Sequence, residues 1–320
     1  MRAMEVQELG KGLVEVERPL PEPGKGEVRL RVLATGLNFA DLLMAEGRYQ
    51  EKPPLPFVPG MEICGVVEAL GPGVTGPAPG TRVACVPGAG GLAEAVVVPA
   101  AACVPVPEGM ADAEAAGFLV AYGTSHVALA HRARLQPGER LVVLGAAGGV
   151  GLTAVELGKL MGAEVVACAR GAEKGAVAKA AGADHVIDTD EADLRDAIRA
   201  LGGADVVYDP VGGAQFMAAL RACNPEARLI PLGFASGEIP QIPANLLLVK
   251  NLTVIGLYWG GYMRFAPQVV TDSIRQLFTW YTQGRLRPHV SAILPLDRAA
   301  EGFALLAGRK ATGKVVITPA

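Results

Sequence analysis

Residues 141–161 limit the possible folds of this chain more than any other stretch. An apolar run, Leu141–Leu144, leads into Gly145-Ala146-Ala147-Gly148-Gly149-Val150-Gly151 and then into helical sequence over Val150–Met161. In that helix Val150, Ala154, Leu157 and Met161 share one apolar face. A glycine cluster between a buried strand and a helix leaves the orphan N–H groups of the helix N-terminus approachable. Those groups and the positive end of the helix dipole favour a pyrophosphate. A side chain at Gly148 would block the approach, and Gly151 lets the helix pack closely on the strand. The strand–loop–helix context gives the motif more weight than a bare pattern match. The match to G-x-G-x-x-G is imperfect, because Ala146 stands at the first glycine and Gly145 lies one place earlier. A tight strand–helix turn with no ligand is the alternative reading.

The sequence after the loop supports a nucleotide-binding sheet. Strands are predicted at Val165–Ala169, His185–Ile187, Asp205–Tyr208, Leu229–Leu232 and Leu252–Leu257. Helices are predicted between them at Glu173–Ala181, Asp193–Leu201 and Gln215–Cys223. Strand–helix alternation at this spacing implies an α/β fold with a doubly wound parallel sheet. Before it, short apolar stretches at Val28–Val32, Ile63–Leu70, Arg82–Val86 and Glu94–Val98 are separated by Pro/Gly turns. That spacing suits a small barrel or sandwich, with a helical stretch at Asn38–Glu46. After Trp259 come helices near Val269–Thr282 and Ala299–Ala307, then a strand at Lys314–Thr318. The expected division is a β-rich domain over 1–113 and 258–320 and a dinucleotide-binding domain over 114–257.

At 320 residues the chain suits two domains. A net charge of -3, with no basic surplus, argues against nucleic acid as a partner. The five cysteines form no C-x-x-C pair, which points to a reduced, cytoplasmic setting rather than a disulfide scaffold. No apolar run reaches the roughly 18 residues of a membrane span, and the N-terminus does not read as a signal peptide.

The second predicted strand of the sheet bears on the cofactor. NAD sites usually place an acid about 20 residues after the loop. Here the strand ends Val166-Ala167-Cys168-Ala169-Arg170 with no acid, and Lys174 follows. Arg170 and Lys174 can meet a ribose 2′-phosphate, which favours NADPH. The alternative is that both are solvated surface cations.

Four segments resemble one family: Thr35-Gly36-Leu37-Asn38-Phe39-Ala40-Asp41, Pro59-Gly60-Met61-Glu62-Ile63-Cys64-Gly65, Ala146–Gly151 and Tyr208-Asp209-Pro210-Val211-Gly212-Gly213. Together they resemble the medium-chain dehydrogenase/reductase superfamily and, within it, the zinc-free quinone oxidoreductases. The resemblance implies a Rossmann-type sheet plus a GroES-like catalytic domain onto which the tail folds back. It also implies a homodimer and hydride transfer from NADPH to a quinone in the cleft between domains. The family's catalytic zinc ligands fall on Asn38, Met61 and Val120, which cannot supply the thiolate, imidazole or carboxylate that zinc needs. Without that Lewis acid, quinones and activated enones are the acceptors that still react.

The resemblance also implies roles for single residues. Asn38 lies near the nicotinamide and either hydrogen-bonds the acceptor oxygen or a ribose hydroxyl, or stabilises a turn. Tyr49 is an active-site hydroxyl or a packing residue. Asp41 orders its loop, and Leu43 stands where an active-site tyrosine is often found. Thr124 approaches the nicotinamide carboxamide, and Gly148, Gly149, Val150 and Gly151 hold the pyrophosphate. Gly233 and Phe234 supply cofactor-binding backbone. Arg309 contacts phosphate, whereas Lys314 is expected to be a surface charge. Two alternatives remain open from the sequence: an NADPH-dependent enone or enoyl-thioester reductase, and a non-enzymatic NADPH- or RNA-binding protein.

Overall fold

The computed structural model describes residues 1–319. They form two compact units: Met1–Val120 with the tail from Pro288, and Ala121–Arg287.

The Ala121–Arg287 unit is built on six strands. Their spatial order is His185–Asp188, Glu164–Ala169, Arg140–Leu144, Ala204–Asp209, Cys223–Pro231 and Thr253–Val254. Every neighbouring pair is parallel. Numbered along the chain this is 3-2-1-4-5-6, the doubly wound dinucleotide-binding order. Consecutive residues Leu141, Val142, Val143 and Leu144 are all fully buried, so both faces of this strand are covered. The order reverses between Arg140–Leu144 and Ala204–Asp209, and the glycine loop leaves the carboxyl end of the first of these.

The helix after the loop runs over Gly149–Leu160, with Ala154 and Leu157 on its buried side. Of the expected strand Leu252–Leu257, only Thr253–Val254 pairs. Two helices without a clear sequence signal, Ala244–Lys250 and Trp259–Phe265, lie on either side of it.

The division between units falls at 120/121 and 287/288, not at 113/114 and 257/258. The helices Trp259–Phe265 and Pro267–Thr282 stay with the parallel sheet because their side chains pack there. The Trp259 ring lies so close to Gly123 that a Cβ there would sit 2.9 Å from its Cζ2. Ser273 Oγ lies 2.8 Å from His126 Nδ1. At the other junction the Val120 N–H donates to Glu62 Oε1 at 2.8 Å, which holds residue 120 in the β-rich unit.

In the β-rich unit the long strand Glu27–Leu37 pairs antiparallel with Ile63–Leu70, Ala95–Pro99 and Lys314–Thr318. Further out, Ile63–Leu70 pairs with Arg82–Cys85, which pairs with Val104–Pro105. Register shifts at 29/30 and 32/34 let one strand serve two sides of a curved sheet. One apolar cluster gathers Leu30, Ile63, Val67, Val83 and Val98; another gathers Met4, Leu37, Met44, Phe57, Phe303 and Val315. The tail enters this sheet through Val315 opposite Leu37 and Val316 opposite Gly36. Its outer neighbour, the strand Val290–Pro295, had no alternating signal and is a structural finding. Among the described residues, no helix is long and apolar enough to cross a membrane.

Candidate functional site

Two groupings match the residues singled out by sequence, one in each unit. The first is the glycine loop. Gly145 holds φ +59°, which L side chains rarely adopt. The turn is closed by backbone: Ala146 N–H to Cys168 O at 3.0 Å, Gly148 N–H to Gly145 O at 3.0 Å, and Leu152 N–H to Gly148 O at 2.8 Å. Gly148 is the N-cap of the helix, and no side chain caps the orphan N–H groups.

Gly151 and Gly148 differ in what requires them. A Cβ at Gly151 would lie 2.2 Å from Gly145 O, so the fold itself demands glycine there. A Cβ at Gly148 would meet only Gly145 O, at 3.4 Å, with an ordinary φ of -78°. Internal packing therefore leaves Gly148 unexplained, and the space before the helix N-terminus is open to an anion.

The first turn of this helix is pinned by buried hydroxyls. Ser125 Oγ and Thr153 Oγ1 each donate to Val150 O at 3.0 Å. Ser125 Oγ also lies 2.8 Å from both Thr153 Oγ1 and Tyr208 Oη. Burial pushes the Tyr208 phenol up, so it stays neutral. Sequence reasoning missed this cluster, because three hydroxyl residues on three elements carry no spacing signal.

Beside the glycine loop, the Asp209 carboxylate accepts from Val211 N–H at 2.7 Å and Gly212 N–H at 2.9 Å. Burial nevertheless raises its pKa to about 6. A Cβ at Gly145 would touch Val211 at 2.9 Å, so the two loops lie side by side. Gly233 approaches the same loop, and Phe234, an exposed residue, flanks Gly212.

At the end of the second strand Arg170 occupies the N-cap position of the helix Gly171–Ala180, without a side-chain cap bond. Its guanidinium is half-exposed and pairs with Asp190 at 3.4 Å. An exposed pair of this kind is worth at most about 1 kcal/mol and is readily exchanged for a stronger anion. Lys174 lies half-buried on the first turn of that helix, and Thr124 is half-buried on Leu119–His126.

The second grouping centres on Asn38. It precedes the helix Phe39–Ala45, and its N–H donates to Asp41 Oδ2 at 2.8 Å. Asp41 Oδ1 accepts from Gly60 and Met61 N–H, so this buried carboxylate orders the loop. Burial raises its pKa to about 6.

The Asn38 amide is held on three sides. Nδ2 donates to Gly36 O at 3.1 Å and to Glu62 Oε2 at 3.2 Å, while Oδ1 accepts from Lys314 Nζ at 2.8 Å. An ammonium only donates, so the atom facing it is the oxygen and the orientation of the amide is defined. Both amide protons are thereby engaged.

Lys314 Nζ also lies 3.0 Å from Glu62 Oε2, with Glu62 fully buried and the Lys314 side chain 7% exposed. The expectation of a surface charge at Lys314 is thus overturned. The residue opens a central strand, and its stem packs on Gly117, where a Cβ would lie 2.9 Å from Lys314 Cγ. A buried ammonium needs a partner, and Glu62 supplies it. The available signal was a lone lysine opening the apolar run Val315-Val316-Ile317.

Tyr49 packs against the apolar cluster that includes Met44 and Phe57. Arg309 is exposed beyond the helix Ala299–Ala307, with φ +52°.

The positions Asn38, Met61 and Val120 meet around Glu62, through its bonds to the Asn38 amide and the Val120 N–H. These positions carry an amide, a thioether and an isopropyl group rather than the thiolate, imidazole or carboxylate that zinc prefers, and the one carboxylate here, Glu62, is paired with Lys314.

Comparison with known proteins agrees with this architecture. Residues 24–108 match the alcohol dehydrogenase GroES-like domain and residues 149–275 the zinc-binding dehydrogenase domain. The chain is 42% identical to the quinone oxidoreductase-like protein 2 homolog of Nematostella vectensis, over 99% of this chain and 88% of that one. It is 34% identical to the human synaptic vesicle membrane protein VAT-1 homolog, over 93% of this chain and 80% of that one. The quinone oxidoreductase of Thermus thermophilus, solved alone and with NADPH, superposes with a TM-score of 0.89 at 37% identity. That match covers 99% of this chain and 100% of the Thermus chain.

Proposed function

This chain belongs to the medium-chain dehydrogenase/reductase superfamily, in its quinone-oxidoreductase-like branch, and on that premise we propose that it is a zinc-independent NADPH:quinone oxidoreductase. The observation that supports cofactor binding most directly is Gly148, whose missing Cβ serves no internal contact and leaves the helix N-terminus open.

The pyrophosphate is assigned to the loop Gly148, Gly149, Val150 and Gly151, with the N–H groups of Gly149, Val150 and Gly151 as donors. The Gly148 N–H is bonded to Gly145 O, and Gly148 contributes its open Cα face. Arg170, with Lys174, takes the 2′-phosphate, and Gly233, Phe234, Thr124 and Arg309 complete the set of proposed contacts. When bound, NADPH supplies a hydride from its nicotinamide ring.

Asn38 takes a narrower role here than its residue type alone allows. Its two amide protons are engaged by Gly36 O and Glu62, so it offers only the remaining lone pair of Oδ1. It accepts from a ribose hydroxyl and does not donate to the quinone oxygen. The proton for that oxygen is assigned to Tyr49 or water. The poor zinc donor set around Glu62 supports an acceptor whose reduced form delocalises its charge, as a hydroquinone anion does. Assembly as a homodimer belongs to the same reading.

Steady-state rates on a panel of quinones, enals and enoyl thioesters test the acceptor class. Fast NADPH-dependent quinone turnover is expected. Negligible quinone turnover beside fast enal or enoyl-thioester turnover would assign the chain to the reductases of activated alkenes instead. For the cofactor, Arg170→Glu removes a charge-assisted contact worth about 1.5–3 kcal/mol, roughly 10- to 100-fold in affinity. The KM for NADPH rises accordingly while that for NADH does not; equal effects on both would sink the 2′-phosphate assignment.

A further inference from the structure

One pair of side chains in the β-rich unit has no part in the proposed chemistry. The strands Arg82–Cys85 and Val104–Pro105 run antiparallel, with Val83 opposite Pro105 and Ala84 opposite Val104. One more step of that register sets Cys85 opposite Cys103, whose backbone is extended at φ -79°, ψ 122°. Directly opposed residues share a face, with Cα atoms about 4.5–5.5 Å apart. That lies within the roughly 4.4–6.8 Å that a disulfide spans.

Both belong to one apolar cluster, Cys85 in its buried core and Cys103 packed against it, and the Cys103 thiol donates to Pro99 O at 3.9 Å. Cys85 is fully buried, whereas Cys103 is half-exposed. The neighbouring Cys85 thiol holds Cys103 below its ordinary value, and Cys103 together with burial raises Cys85. Cys64 stands opposite Ala84 on the neighbouring strand, so its side chain lies on the other face.

We propose that Cys85 and Cys103 form a peroxide-oxidisable pair, in which the half-exposed Cys103 attacks and the buried Cys85 resolves to a reversible cross-strand disulfide. The Cys103 thiolate attacks one oxygen of hydrogen peroxide and the O–O bond breaks. The departing hydroxide takes up a proton to leave as water, and Cys103 becomes a sulfenic acid. Cys85 gives up its proton and attacks the Cys103 sulfur; the S–O bond breaks and a second water leaves. Two thiols and one peroxide thus yield one disulfide and two waters, with two electrons passing from sulfur to oxygen. A dithiol reverses the step by exchange.

The test treats the whole protein with graded hydrogen peroxide. Free thiols are then alkylated, the protein is denatured and digested, and the peptides are identified by mass spectrometry. Thiols should fall from five to three, with a linked Cys85–Cys103 peptide, and return to five with dithiothreitol. In Cys85→Ser, Cys103 should be trapped by dimedone as the sulfenic acid. In Cys103→Ser, Cys85 should stay unmodified at the same dose. If wild-type protein loses thiols without the linked peptide, or through a link between other cysteines, the proposal is overturned. That outcome is read on unmutated protein, so it does not depend on the folding of any variant.

Discussion

The glycine loop over residues 145–151 and the Asn38–Glu62–Lys314 cluster are organised by different means. The loop is one contiguous segment that presents backbone N–H groups, and its shape follows from a positive φ at Gly145 and three short backbone bonds. The cluster is made of side chains from three distant segments. Lys314 meets Glu62 across 252 positions of sequence and Asn38 across 276. A backbone site tolerates most changes outside its glycines, whereas a buried charge cluster depends on every member. The comparison also shows that two glycines of one motif differ in what the fold asks of them: Gly151 is required by internal packing, whereas no internal contact requires Gly148.

The largest effect should come from breaking the cluster. Lys314→Met leaves the Glu62 carboxylate buried without its cation, at a cost of about 3–5 kcal/mol in urea unfolding. Adding Glu62→Gln should recover most of that loss; equal instability of the single and double variants would refute the ion pair as the cause.

The carboxylate beside the glycine loop gives a pH signature of about 3 kcal/mol. Asp209 ionises near 3.8 when unfolded and near 6 when folded. The native state therefore binds its proton more tightly, and this contribution to stability is lost as pH rises from about 4 to 6. Asp209→Asn does not titrate, so wild type should lose stability relative to the variant over that window and level off above it. Unfolding midpoints measured at several pH values check this. A relative loss on lowering the pH instead would contradict burial as the dominant cause.

Gly151→Ala should cost about 2 kcal/mol, because the new methyl meets a backbone oxygen that cannot step aside. Gly148→Ala should leave stability within about 0.5 kcal/mol while NADPH affinity, followed by fluorescence titration, falls about tenfold. Similar unfolding penalties for the two would erase the distinction between them.

Much of the parallel sheet was legible because buried parallel strands read as apolar runs between helical stretches. The helix Ala299–Ala307 and the strands Ile63–Leu70 and Lys314–Thr318 fall where the sequence places them. The helix Trp259–Phe265 was not legible, since two glycines and clustered aromatics are poor helix formers in isolation. Tertiary packing of Trp259 against Gly123 supplies what propensity lacks. The Ser125–Thr153–Tyr208 cluster was equally hidden, because each hydroxyl is ordinary in its own segment.

By itself the sequence determined the strand–loop–helix with its glycines, the order of alternating elements after it, and the residue types Asn, Met and Val at positions 38, 61 and 120. These properties rest on local dihedral preference, hydrophobic period and residue chemistry, which need no distant partner. Only the tertiary structure decided that Lys314 is a buried cation, that Glu62 is its counter-ion, and that the Asn38 amide turns its oxygen toward the ammonium. Those outcomes depend on the register that pairs the strand Lys314–Thr318 with Glu27–Leu37, and long-range strand pairing is not encoded in any single segment.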